Sequence, residues 1–197
     1  MLGTLRRLAL ALVLGIGCDG PPPPDSSVAP RSAPSPEARA QKALDAPECP
    51  SAVPPLLGRV NDLASVLTAA EEASLRELYA SLERDVGSQV ALLTIESLEG
   101  ASIECYSLTT VEAWRLGRRG VDDGVLITVA LRERQVRIEV GNGLEVVLPD
   151  ELTRRIIVEV MAPGFREGNV FSALSRGSRA VVDTIASKAH LVGQRRR

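Results

Sequence analysis

The chain has 197 residues, with 23 basic and 25 acidic side chains and a formal net charge of −2. This near balance gives no electrostatic basis for nucleic-acid binding, and the short basic run at Arg195 to Arg197 is typical of a solvated tail. The three cysteines lack the spacing of a zinc site, and the single histidine, His190, lies near the C-terminus. Zinc sites and histidine-based catalysis are therefore poorly supported.

The N-terminus has the pattern of an export signal. Residues 1–7 hold two arginines and no acid, Leu8 to Ile16 carry no polar side chain, and the small residue Gly17 follows. This order is typical of a cleaved signal peptide. The apolar run is too short to cross a bilayer, which takes about 20 residues in a helix. We therefore predict that residues 1–17 are removed and that the chain is exported to the cell envelope or periplasm.

Cys18 stands where a lipoprotein signal peptidase would leave an N-terminal cysteine, and a lipid there would anchor the chain to a membrane. Gly15 occupies the position where lipoproteins usually have leucine, and Leu14 lies one place further back. The sequence therefore favours lipidation of Cys18 and leaves simple secretion open.

A proline-rich tether follows, from residue 18 to residue 55. It holds 11 of the 13 prolines and has neither helical nor strand periodicity. Proline-rich linkers are extended and semi-stiff, so we predict a disordered tether that holds a domain away from a membrane, with plain filler as the alternative. Cys49 and Cys105 could form a disulfide in an oxidising compartment. The sequence alone leaves that pairing open.

The first predicted elements of the folded domain are a helix and a strand. Thr68 can cap the helix, Glu71 can complete a capping box, and leucines repeat on one face as far as Gly87. Residues 89–95 (QVALLTI) then have the composition of a buried strand.

A second helix and strand follow. The helix is predicted from Ile103 to Leu116, with Gly117 as its stop. After a turn at residues 122–124, residues 125–131 (VLITVAL) are rich in β-branched side chains, which suits a strand covered on both faces.

The next segment predicts a hairpin. Residues 134–140 (RQVRIEV) alternate between polar and apolar side chains, and residues 144–148 (LEVVL) follow after Gly141, Asn142 and Gly143. We expect the two glycines to form the turn with positive φ angles.

Two helices complete the domain, at residues 149–161 and 170–187, separated by Pro163 and Gly164. The order of elements predicts an α/β fold, a three-layer α/β/α sandwich around a small mixed sheet. The predicted domain spans residues 56–188, and a basic tail at 189–197 follows.

The residues best suited to chemistry are acids in loops. Their carboxylates are the hard oxygen ligands that Ca²⁺ or Mg²⁺ prefers when several converge. Each also has a structural interpretation, since aspartate favours turns and helix starts. The candidates are Asp62, Asp122, Asp123, Glu145 and Asp150.

Several different short motifs follow one another along the folded part. They are Val60 to Asp62 with Leu67, Trp114 and Gly117, Asp122 to Leu126, Arg137 to Glu145 (RIEVGNGLE), Pro149 and Asp150, and Pro163, Phe165, Arg166 and Gly168. This series resembles the TPM domain family, which includes a thylakoid acid phosphatase-like protein. The resemblance extends from about Gly58 to Ala186.

The resemblance implies an α/β/α sandwich placed outside the cytoplasm or in the thylakoid. Some members of the family bind Ca²⁺ through acidic loops, and acid phosphatase activity has been attributed to some. Carried over by position, the metal candidates are Asp62, Asp122 and Asp123, with Glu145 and Asp150 as weaker members.

This chain departs from common family patterns in two places. Many bacterial relatives end in a transmembrane helix and a glycine-rich tail, and a lipid on Cys18 would take the place of that anchor. Asn169 stands where an aspartate is frequent, which removes one oxygen anion near the last helix.

Three functions remain open. The first is a Ca²⁺-binding envelope module that supports the assembly or repair of membrane proteins. The second is a metal-assisted acid phosphatase, in which an ion would polarise a phosphoryl oxygen and activate water; Arg118, Arg119 or Arg137 would hold the phosphate. The third is a structural lipoprotein domain whose acids serve only as caps and turns.

Overall fold

A four-stranded sheet forms the centre of the computed structural model, which describes residues 49–193. The first three strands are parallel and the fourth is antiparallel to its neighbour, so the predicted mixed sheet is confirmed. The predicted signal, Cys18 and most of the tether lie outside the described residues, as does the end of the basic tail. In chain order and in spatial order the strands are β1 (Val60–Asp62), β2 (Gln89–Ile95), β3 (Gly124–Ala130) and β4 (Gln135–Val140).

Helices cover both faces of this sheet. Alternate residues of β2 and β3 point to opposite faces, and both sets are buried because apolar helices pack on each side. Helices α1 (Ala69–Asp85) and α5 (Val170–Ser187) contribute to the larger core, whereas α2 (Ile103–Trp114) closes the smaller one. The predicted three-layer α/β/α arrangement is therefore confirmed.

Helix α1 begins as the sequence predicts. The Thr68 hydroxyl accepts a hydrogen bond from the Glu71 N–H at 3.3 Å, and the Glu71 carboxylate accepts one from the Thr68 N–H at 2.8 Å. This reciprocal pair satisfies two backbone donors that the first turn would otherwise leave open. The helix buries Leu75, Tyr79 and Leu82 against the sheet.

Helix α2 ties the preceding segment to the domain. The Trp114 indole N–H donates to the Pro54 carbonyl at 2.7 Å, and Cys49 forms a disulfide with Cys105, with 5.3 Å between their Cα atoms. The predicted stop at Gly117 is late by two residues, because Arg115 already takes the left-handed conformation at the end of the helix.

The expected hairpin between residues 134–140 and 144–148 is wrong. Strand β4 instead pairs with β3 through the turn at residues 131–134, and Asn142–Leu144 form a short 3₁₀ turn. Residues 144–148 form no strand, although Leu144, Val147 and Leu148 are buried in the larger core. Neither Gly141 nor Gly143 has a positive φ angle.

The C-terminal helices are more continuous than predicted. Helix α3 (Asp150–Arg155) runs into a π-helical stretch (Ile156–Met161) and then into α4 (Ala162–Arg166). Pro163 therefore does not separate two helices. It lies directly after the π-helical stretch, at the start of α4. Within residues 49–193, no helix is long and apolar enough to cross a membrane.

Tyr79 makes the free energy of unfolding fall at alkaline pH. Its hydroxyl lies fully buried against the Ser178 hydroxyl, and burial raises its pKa above the usual value while the hydrogen bond to Ser178 lowers it by less. The raised folded-state pKa means that stability is complete below about pH 10 and falls as pH rises further, since only the unfolded chain ionises readily.

We therefore expect Tyr79→Phe to flatten the decline in unfolding free energy above about pH 10, measured by urea denaturation at several pH values. At neutral pH the variant should lose about 1 kcal/mol, because the Ser178 hydroxyl loses its partner. Tyr106, half-buried on α2, also has a raised pKa from burial. A slope that Tyr106→Phe changes more than Tyr79→Phe would contradict this account.

Candidate functional site

Two loops meet at the amino end of β3. Gly141 donates to the Gly124 carbonyl at 2.8 Å, and Gly143 donates to the Asp122 carbonyl at 3.0 Å. Asp122 has a φ angle of 58°, which is uncommon for a residue with a side chain. The loop that carries Asp122 and Asp123 is thus held against the loop that precedes Glu145.

The two glycines allow this approach because they lack a Cβ atom. A Cβ on Gly143 would lie 1.9 Å from the Val121 carbonyl oxygen, and one on Gly141 would lie 2.2 Å from the Asp122 carbonyl oxygen. The GNG motif therefore serves close packing of backbone on backbone, which only glycine permits.

Asp123 is fully buried, and both of its carboxylate oxygens accept hydrogen bonds. Its Oδ1 accepts from the Arg118 backbone N–H at 2.8 Å, and its Oδ2 accepts from the Arg118 Nε at 2.9 Å and Nη2 at 2.6 Å. The Ser88 hydroxyl also donates to Oδ2 at 3.2 Å. A carboxylate held in this way closes the loop between α2 and β3. No local pattern of residues predicts Arg118 and Ser88 as its partners.

Asp62 lies at the opposite end of the sheet. It pairs in register with Thr94, whereas Gly124 pairs with Gln89 at the other end of β2. The five-residue offset along β2 corresponds to roughly 16 Å at about 3.3 Å per residue. Asp62 Oδ2 accepts from the Leu67 N–H at 2.8 Å, and Oδ1 accepts from the Thr94 hydroxyl.

The remaining predicted acids lie on the C-terminal part of the domain. Glu145 follows the 3₁₀ turn and is half-buried, and Asp150 is exposed as the first residue of α3. Asn169 caps α5, since its side-chain oxygen accepts from the Ser172 N–H at 2.9 Å. Across residues 49–193, no three Cys, His, Asp or Glu side chains are grouped in a way that could hold a metal ion.

The chain is similar to one family of sequences and to several solved structures. A sequence model described as TPM domain matches residues 60–184. No curated protein matches the chain. Among solved structures, the N-terminal domain of a protein from P. gingivalis, determined by solution NMR, is 31% identical with a TM-score of 0.63, and the alignment covers 70% of this chain and 87% of that domain.

Two further NMR structures are similar in fold. The BA42 protein of the psychrophilic bacterium Bizionia argentinensis is 18% identical with a TM-score of 0.55, covering 64% of this chain and 85% of that one. The N-terminal domain of the cg2496 protein of Corynebacterium glutamicum is 11% identical with a TM-score of 0.50, covering 72% and 87%. At these identities the likeness concerns the fold alone.

Proposed function

We infer that this chain, which belongs to the TPM domain family, is an exported, lipid-anchored accessory module that assists membrane proteins by binding. The signal pattern before Cys18 and the proline-rich stretch after it support placement at a membrane. The disulfide between Cys49 and Cys105 supports an oxidising compartment, because such bonds persist mainly outside the cytoplasm.

The observation that favours binding over hydrolysis is the ion pair between Arg118 and the buried Asp123. A hydrolase that used Asp123 and Arg118 would need that carboxylate or that guanidinium to reach substrate. Here both groups bond to each other, and the Asp123 side chain has 0% exposure. The pair stabilises the loop, which suits a surface of defined shape.

The acid phosphatase alternative has less support from the same contacts. Of the arginines that would hold a phosphate, Arg118 is committed to Asp123, and Arg137 pairs with Glu139 at 2.8 Å. Arg119 is exposed on the loop after α2. A phosphate site there would have to break one of these ion pairs or rely on Arg119 alone.

We propose that Ca²⁺ binds through fewer residues than the five that the sequence suggests. The five acids do not fit one ion as a set, because Asp62 lies at the far edge of the sheet and Asp123 is bonded to Arg118. Asp122 and Glu145 belong to adjoining loops, and Ca²⁺ accepts backbone carbonyl and water oxygens besides carboxylates. We therefore restrict Ca²⁺ binding to these two loops, where it would order the Asp122 surface.

A thermal denaturation series tests this restriction. Millimolar Ca²⁺ should raise the melting temperature of the purified chain, since a ligand present at a hundred times its Kd stabilises by about 2.7 kcal/mol. Asp122→Asn and Glu145→Gln should reduce the shift, because each removes a carboxylate from the loops. Asp183→Asn, exposed on α5, is the matched control and should keep the full shift.

The outcome for Asp62 is diagnostic. The shift should survive in Asp62→Asn, which lies at the other end of the sheet. A shift abolished by Asp62→Asn and kept by Asp122→Asn would place the ion elsewhere. Absence of any shift in the unaltered chain would remove Ca²⁺ from the proposed function.

A further inference from the structure

A second feature of the domain lies at the opposite end of β3 from Asp122. A cavity of about 570 Å³ opens beside the carboxyl end of β3 and the start of β4. Its sheet side is formed by Val129 and Val136, and its helical side by Ile157, Phe165 and Val170. The carboxyl ends of strands in α/β sheets are common ligand positions, and this volume falls in the range of small-molecule sites.

Two arginines border this apolar cavity. Arg134 comes from the turn between β3 and β4, and Arg166 ends α4. Both are exposed, and neither takes part in an ion pair within residues 49–193. The arginines that do form ion pairs there are Arg59, Arg76, Arg84, Arg118, Arg137 and Arg155.

The backbone around the cavity is irregular on both sides. Arg134 has a φ angle of 54°, a left-handed conformation that glycine or asparagine adopts at lower cost. Ile157 belongs to the π-helical stretch, a distortion frequent at functional sites. The left-handed turn and the π-helical stretch set the positions from which Arg134 and Ile157 line the cavity.

We propose that this cavity binds an amphiphilic oxyanion, namely an aliphatic chain that ends in a carboxylate or a phosphate. The apolar walls would cover the chain, because burying aliphatic surface is favourable. The two guanidinium groups would pair with the head, since their planar N–H groups match carboxylate and phosphate oxygens. Fatty acids and phospholipid-derived anions share this chemistry.

Isothermal titration calorimetry of the full mature chain tests the proposal with probes kept below their micelle concentrations. Dodecanoate or dodecyl phosphate should bind, whereas dodecanol and acetate, which each lack one half of the chemistry, should bind at least tenfold more weakly. A preference for dodecanoate would identify a free acyl carboxylate as the ligand, and a preference for dodecyl phosphate would identify a phosphate head.

Variants of the two arginines assign the binding to this cavity. Arg134→Gln and Arg166→Gln should each weaken binding of the anionic probes about tenfold, with little effect on dodecanol. Arg132→Gln is the matched control, because Arg132 is exposed in the same turn and does not line the cavity. It should leave binding unchanged.

Three results would overturn the proposal. They are equal binding of dodecanol and dodecanoate, undiminished binding in the Arg134→Gln/Arg166→Gln double variant, and no binding of any anionic probe. None of them concerns Ca²⁺ binding at Asp122, so the proposed function is tested separately.

Discussion

Replacing Gly143 by alanine should destabilise the domain by about 4 kcal/mol, an exceptional loss for a single methyl group. The added Cβ would lie 1.9 Å from the Val121 carbonyl oxygen and 3.2 Å from that of Asp122. Both neighbours are backbone atoms, which cannot swing aside as the end of a flexible side chain can. The Gly143 carbonyl also accepts from the Gly193 N–H at 2.8 Å, so moving the loop would disturb the C-terminal end too.

Urea denaturation measures this loss, and Gly58→Ala is the matched control. A Cβ on Gly58 has no heavy atom within 4 Å, so that variant should stay within about 1 kcal/mol of the unaltered chain. If Gly143→Ala unfolded at the same urea concentration as Gly58→Ala, the close approach of the two loops would be refuted.

Removing the Asp123 carboxylate should cost about 3 kcal/mol. Asp123→Ala would leave the Ser88 hydroxyl and the Arg118 backbone N–H without their buried partner, and it would strip Arg118 of its counter-charge. Losing one member of a buried pair costs about 3–5 kcal/mol. We expect the lower end because the Arg118 side chain is 45% exposed and can turn to water.

A double-mutant cycle with Arg118→Ala separates the pair from the rest of the loop. The coupling energy between the two side chains should reach about 1–3 kcal/mol, because they share two side-chain hydrogen bonds. Arg76→Ala breaks the exposed pair with Glu72 and should cost less than about 1 kcal/mol. A coupling no larger than that of the exposed pair would show that the Asp123 contacts do not hold the loop.

Local signals predicted most of the elements. The capping box at Thr68 and Glu71 gave the start of α1, and the apolar runs gave β2 and β3, because those features depend on nearby residues alone. Strand β1 is only three residues long, too short to show any periodicity, and it became a strand only through pairing with β2.

The wrong hairpin shows where local reasoning ends. Gly141 and Gly143 resemble turn residues, yet their role is set by carbonyl groups some twenty residues earlier in the chain. The turn that does join β3 to β4 contains no glycine, and Arg134 takes its left-handed position. Neither fact is visible in the alternation of polar and apolar residues.

The five candidate acids share a residue type and a family resemblance. Neither of these gives the distances between their side chains. Parallel pairing of β1 with β2 puts Asp62 at the carboxyl edge, far from the loop that precedes β3. The bonding of Asp123 to Ser88, 35 residues earlier, depends on tertiary packing as well. Only the position of Asp150 at a helix start followed from its immediate neighbours.

Hydrolysis of an aryl phosphate at acidic pH, with and without Ca²⁺, tests most directly whether this domain works by binding. The account predicts that the purified mature chain hydrolyses the substrate no faster than buffer, under both conditions. Hydrolysis above that background that is lost in a folded Asp122→Asn variant, and kept in Asp183→Asn, would contradict it and establish the loop before β3 as a catalytic site.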